Sequence, residues 1–210
     1  GSYIGPMDKI FFSNSPECLF QASQNKIRTM PIKGTKKVAK DGRWHENWQE
    51  LIRSKKDESE LYMITDLMRN DLTKIELHPA KVIYKKYPLK VPGLIHQFSI
   101  IESDLSKKVT LADVIASLFP GGSITGAPKK RVMQLSLEIE NYHRGFYCGS
   151  TVLMYKKMKT ASINIRSLEI DLSSQEAKYG AGGGITLLSK KSSEYKEALE
   201  KLKSFLSLLN

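Results

Sequence analysis

The chain has 210 residues, 40% hydrophobic and 26% charged, which suits one large globular domain with a continuous core and excludes a disordered or low-complexity chain. No apolar run approaches the roughly 20 residues that span a bilayer, and Cys18 and Cys148 cannot form a disulfide framework or a four-ligand zinc site, so a cytoplasmic protein with no membrane association is expected. The net charge of +11 raises nucleic acid as a partner, but the lysines come as scattered pairs without interleaved aromatics, and no nucleic-acid partner is expected.

Lys9 to Phe12 and Leu19 to Gln21 read as short strands around Ser13-Asn14-Ser15-Pro16, and Asn25 to Met30 as a third, ended by Pro31. The lysine-rich stretch Gly34 to Gly42 reads as a loop. Glu46 to Lys55 and Glu58 to Asn70 read as helices, the second with Leu61, Ile64, Leu67 and Met68 on one stripe. Lys81 to Tyr84 and Leu94 to Ser103 have strand composition, punctuated by Pro88 and Pro92-Gly93. Leu111 to Phe119 reads as an apolar helix, followed by a Gly/Pro-rich loop and a helix near Lys129 to Glu140, with Pro128 in its first turn. Cys148 to Tyr155, Thr160 to Leu172, Ala177 to Tyr179 and Ile185 to Leu188 read as extended segments. Ser192 or Ser193 can cap a last helix with the stripe Leu199, Leu202, Phe205, Leu206 and Leu209. Strands and helices segregate without βαβ alternation, so the class is α+β, one domain over residues 1–210.

Two glycine-rich loops, 121–126 and 180–184, can bring backbone N–H groups onto an anion, and the first also feeds a helix N-terminus. Each alone reads equally well as a tight turn. Glu194 and Glu197 share a helix face, and with Glu60 they could hold a hard cation such as Mg²⁺; acidic residues in a first helical turn also serve simply as dipole complements. Lys33, flanked by apolar and small residues, is a candidate nucleophile if desolvated, or an exposed lysine. Glu17, His96 and Tyr147 are ambiguous in isolation. Arg166 sits inside the apolar strand Ile163-Asn164-Ile165-Arg166, where a charge needs an anionic partner.

The order of these segments is specific. Ser15-Pro16-Glu17, Pro31-Ile32-Lys33-Gly34-Thr35, Met63 to Leu72, Phe119 to Lys129, Arg144 to Gly149, Ile165-Arg166-Ser167, Gly182-Gly183-Gly184-Ile185 and the Glu194…Glu197 pair follow one another. In that order they resemble the chorismate-utilising enzyme family, from about Ser13 onward. Lysine at position 33 resembles the branch that forms aminodeoxychorismate, whereas anthranilate and isochorismate branches carry alanine there. Cys18-Leu19-Phe20 and Leu188-Ser189 depart slightly from the family pattern.

The resemblance implies antiparallel sheets packed with helices, the family's sandwich, with the N-terminal part missing. It implies chorismate as substrate, Mg²⁺ as cofactor and a glutamine amidotransferase subunit as partner, in para-aminobenzoate and folate precursor synthesis. It assigns catalysis to Glu17 and Lys33, and substrate contacts to Gly34, Thr35, His96, Tyr147, Arg166, Gly182 and Gly184. It places Mg²⁺ on Glu60, Glu194 and Glu197. Anthranilate synthesis is the rival within the family, and an inactive chorismate-binding fragment the rival outside catalysis.

Overall fold

A computed structural model describes residues 2–5, 8–38, 44–76, 79–91 and 93–206. The chain opens with strands β1 (Ser2–Gly5), β2 (Lys9–Ser13), β3 (Cys18–Ser23), β4 (Lys26–Met30) and β5 (Ile32–Lys37). Helices α1 (Trp44–Arg53) and α2 (Lys55–Glu76) precede the long hairpin β6 (Lys81–Val91) and β7 (Leu94–Asp104). Next come α3 (Leu111–Leu118), the single turn α4 (Gly122–Thr125) and α5 (Lys129–Glu140). Strands β8 (Ser150–Tyr155), β9 (Met158–Ile163), β10 (Ser167–Asp171) and β11 (Glu176–Tyr179) lead to α6 (Lys191–Leu206).

All described strand pairs are antiparallel and form two sheets. The larger runs β5-β7-β4-β3-β9-β8 with β6 also on β7, and the smaller runs β1-β2-β10-β11. The α+β class and its antiparallel sheets are as expected. β7 alternates half-buried and buried residues along its length, the period of two that places one face of a strand in a core. The core joins Leu19, Phe20, Ile27, Ile101 and Ile163 of the larger sheet to Ile64, Met68 and Leu72 of α2 and Val114 and Leu118 of α3. The α2 stripe holds, with Leu67 only half-buried. Three polar residues share the buried face of β7, Gln97, Ser99 and Ser103; Gln97 and Ser99 are fully enclosed, and neither the Gln97 amide nor the Ser99 hydroxyl finds a hydrogen-bond partner.

The sheets meet at a seam. β3 pairs with β9 in the larger sheet and β2 with β10 in the smaller, so two segments cross between sheets side by side. The Ile163 N–H donates to the Glu17 carbonyl at 3.0 Å, and the Asn14 N–H to the Arg166 carbonyl at 3.2 Å. The Ser167 hydroxyl donates to Ser13 Oγ at 2.9 Å beside them.

Several elements differ from the sequence expectation. The lysine-rich stretch begins as a strand, β5, because its backbone pairs with β7 whatever its side chains are; residues 39–43 lie outside the described residues. β6 continues through Pro88, which an edge strand tolerates because one side of its backbone makes no ladder bonds. The extended run 160–172 is broken at residues 164–166, where Arg166 adopts φ 53°. Residues 185–188 form no strand, and Ile185, Leu187 and Leu188 are exposed. Helix α6 starts at Lys191, so Ser192 and Ser193 lie in its first turn rather than at its cap. Phe205 stacks on Tyr179 with ring centroids 4.0 Å apart, which docks the last helix on β11; Leu209 and Pro92 lie outside the described residues.

Candidate active site

Glu17 leaves the seam at the entry to β3, with its N–H donating to Ser15 Oγ at 3.2 Å. Burial raises the carboxyl above its ordinary range, opposed by Ser123 and by the positive charges of Lys33 and Lys201. Ser123 Oγ sits close without a well-formed hydrogen bond. A carboxyl in such a place holds its proton more tightly than a surface glutamate does.

Lys33 lies on β5 opposite Gln97, one residue before a bulge. The bulge is built by Gly34, whose φ is 72° and whose missing Cβ would stand 2.8 Å from Leu51 Cδ1 and 3.1 Å from the Asp57 side chain. A side chain there would be strained by the positive φ and would also need the Leu51 methyl and the Asp57 side chain to give way. The bulge turns Lys33 inward: a Cβ on Gly184 would lie 3.9 Å from Lys33 Nζ. Beyond it, Thr35 Oγ1 and His96 Nδ1 are 2.9 Å apart. Burial lowers the proton affinity of His96, a hydrogen bond to the Gly34 backbone opposes this, and the Arg166 charge adds to the lowering. Arg166 is thus placed toward His96. It lies exposed at the break between β9 and β10, so the expectation that it sits inside an apolar strand does not hold.

Tyr147 closes another side. Its ring lies so near Gly180 that a Cβ there would be 2.2 Å from Tyr147 Cγ, and a Cβ on Gly182 would be 3.1 Å from its hydroxyl. Burial is the first cause holding the phenol proton on, so Tyr147 is a neutral hydrogen-bonding group. The 180–184 loop therefore contributes closeness of approach more than turn geometry.

The acidic corner comes from α2 and α6. Glu194 is buried, and its carboxyl is held below the usual range first by a hydrogen bond from Lys56 and then by Ser189. Burial instead raises Glu60, although Lys33 and Lys56 pull it back. Glu60 Oε1 is enclosed without a hydrogen-bond donor. Glu197 is more open, with a side chain 53% exposed, and pairs with Lys201 at 2.8 Å. Among the described residues no three His, Cys, Asp or Glu side chains converge as a ready metal-ligand set. The oxygen donors nevertheless fit a hard divalent cation, and the orphaned Glu60 oxygen is the kind of group that one would satisfy.

Sequence reasoning missed two cations here. Lys56 lies between Glu60 and Glu194, and Lys201 donates to the Gly182 carbonyl at 2.8 Å. Both stand four residues from a candidate carboxylate on the same helix, and that spacing was the available signal. The Met63 to Leu72 segment also has a second role. Asp71 is buried and pairs with Lys74 at 3.2 Å and with Lys129, fastening the start of α5 to α2.

The family described as chorismate binding enzyme matches residues 1–207. Aminodeoxychorismate synthase component 1 of Salmonella typhimurium is 34% identical over 95% of this chain and 44% of its own length. Anthranilate synthase component 1 of Saccharolobus solfataricus is 34% identical over 96% of this chain and 48% of its own. The chain thus spans less than half the length of these relatives. Anthranilate synthase component I of Streptococcus pneumoniae superposes with a TM-score of 0.83 at 27% identity, over 98% of this chain and 45% of that one. The fold is also that of the menaquinone-specific isochorismate synthase of Escherichia coli, with a TM-score of 0.82 at 21% identity over 96% of this chain and 46% of that one.

Proposed function

The chain belongs to the chorismate-binding enzyme family, and on that premise we propose that it is the catalytic part of an aminodeoxychorismate synthase component I, converting chorismate and ammonia to 4-amino-4-deoxychorismate. The observation that carries this reading is the grouping of Lys33 with the burial-raised carboxyl of Glu17 and with Gly184. The Lys33 amine bonds to C2 of chorismate, both ring double bonds shift along the ring, and the C4–O bond breaks. Hydroxide leaves poorly, so Glu17 gives it a proton and it departs as water. Ammonia then bonds to C4 and returns a proton to Glu17, both double bonds shift back, and the lysine nitrogen is expelled. Two displacements replace one difficult substitution.

Tyr147 and Arg166 would anchor a substrate carboxylate, with Gly182 and Gly184 presenting backbone and His96 and Thr35 lying beside the ring. Glu60, Glu194 and Glu197 would hold Mg²⁺, which, when bound, offsets the substrate's negative charge. The component 1 names of the relatives support a second subunit, a glutamine amidotransferase, as the ammonia source.

Chorismate and Mg²⁺ without ammonia should leave a covalent adduct on the Lys33 peptide, detected by mass spectrometry. Lys33→Ala and Lys33→Arg should both abolish it, since a guanidinium stays protonated. With ammonium added, the product should need a lyase to become para-aminobenzoate. A directly fluorescent product would instead indicate anthranilate synthesis, and an active Lys33→Arg enzyme would overturn the covalent route.

A further inference from the structure

The acidic corner already carries a cation. Lys56 Nζ lies 2.8 Å from Glu194 Oε1 and 3.9 Å from Glu60 Oε1. The first contact is a hydrogen bond, whereas Glu60 Oε1 remains enclosed without a donor. One ammonium therefore offsets two carboxylates and satisfies only one. A doubly charged ion would be attracted to both, and more strongly.

The two sides of this cluster differ in freedom. The Glu60 and Glu194 side chains are 14% and 8% exposed, and that of Lys56 is 38% exposed. Glu194 Oε2 is backed by the glycine loop, since a Cβ on Gly183 would stand 3.4 Å from it. The carboxylates are enclosed, while the ammonium rides on a flexible stem that is more open to solvent. Enclosed carboxylates without a counter-charge are costly, which gives Lys56 a purpose while no metal is bound.

We propose that Lys56 is a tethered competitor of the divalent cation, its ammonium holding Glu60 and Glu194 in the metal-free protein and turning out to solvent as the metal enters. This rests on the Mg²⁺ reading above. No covalent bond changes; one charge leaves the corner and two arrive. Metal affinity in the absence of substrate is thereby set by the lysine as well as by the carboxylates.

Calorimetric titration of the full chain with Mn²⁺ alone tests this. Lys56→Met should bind Mn²⁺ about tenfold more tightly than wild type, and Lys56→Arg no more tightly than wild type. Lys85→Met, which removes an equal charge from above the Tyr62 ring, should stay within about twofold of wild type if long-range charge is screened. Wild-type protein provides an independent readout should Lys56→Met fail to fold. Limited acetylation with acetic anhydride, followed by mass spectrometry, should label Lys56 faster when Mg²⁺ is present. Unchanged or weaker Mn²⁺ binding by Lys56→Met, or slower labelling of Lys56 with Mg²⁺, would overturn the competition and leave the metal reading intact. Mn²⁺ binding to neither protein would overturn both.

Discussion

The Tyr147 ring rests directly on Gly180, with no room between them for even a methyl group. Overpacking of this kind costs about 1–3 kcal/mol. Gly180→Ala should therefore lower the melting temperature and, by displacing the phenol, raise the KM for chorismate. Adding Tyr147→Ala should recover much of the stability but none of the affinity, so the pair is non-additive. Thermal melts and steady-state kinetics of the single and double variants check this.

Glu17 should make stability depend on pH in a definite sense. Its folded carboxyl titrates above the ordinary 4.5, so the folded protein binds this proton more tightly than the unfolded chain. The group's contribution is full below the unfolded value and is lost as pH rises through the folded one. Glu17→Gln should match wild type in stability near pH 4 and exceed it at pH 7 to 8. The gain is read as a higher melting temperature of the variant at pH 7 to 8 that disappears near pH 4. Its turnover should fall at all pH values, because an amide cannot act as the acid. The same stability difference from wild type at both ends of the range would contradict the cause assigned to the shift.

Gln97 presents both amide atoms to an enclosed space without partners. Gln97→Leu removes that desolvation at similar volume and should stabilise the protein by about 1–3 kcal/mol. The denaturation midpoint should rise at constant m-value. A destabilised Gln97→Leu would show that the amide has a partner in solution.

Asp71→Asn should be among the most damaging changes outside the active site. It leaves Lys129, whose side chain is 18% exposed, without its carboxylate, and breaking a buried ion pair costs about 3–5 kcal/mol. Urea unfolding should show the loss. Lys129→Met in the same background should cost little more, since the pair has already been broken.

The strand and helix segments were legible wherever periodicity and composition agreed, as in the α2 stripe of Leu61, Ile64 and Met68. They were not where pairing decided the conformation. The lysines of β5 disguised a strand specified by β7, and Pro88 marked an edge rather than an end. The residues Glu17, Lys33 and Gly184 could be named from ordered motifs, yet only packing reveals why Gly34 must be glycine or how a half-buried Glu17 acquires its proton affinity. Lys56 and Lys201 escaped notice because a lysine near a glutamate on a helix is ordinary. What sets them apart is the second helix and the glycine loop brought to them from elsewhere in the chain.

The seam between the sheets sets a timetable for synthesis. Ser23 of β3 pairs with Met158 of β9, and Phe12 of β2 with Leu168 of β10. At elongation rates of about 5–20 residues per second, these early strands wait on the order of ten seconds for their neighbours. Such distant pairings also slow folding once the chain is complete. During that interval the fully buried Leu19 and Phe20 of β3 are exposed on an unfinished sheet. Ribosome-bound chains that end before β9 should consequently be more sensitive to protease and more strongly bound by chaperones than chains that extend past β10.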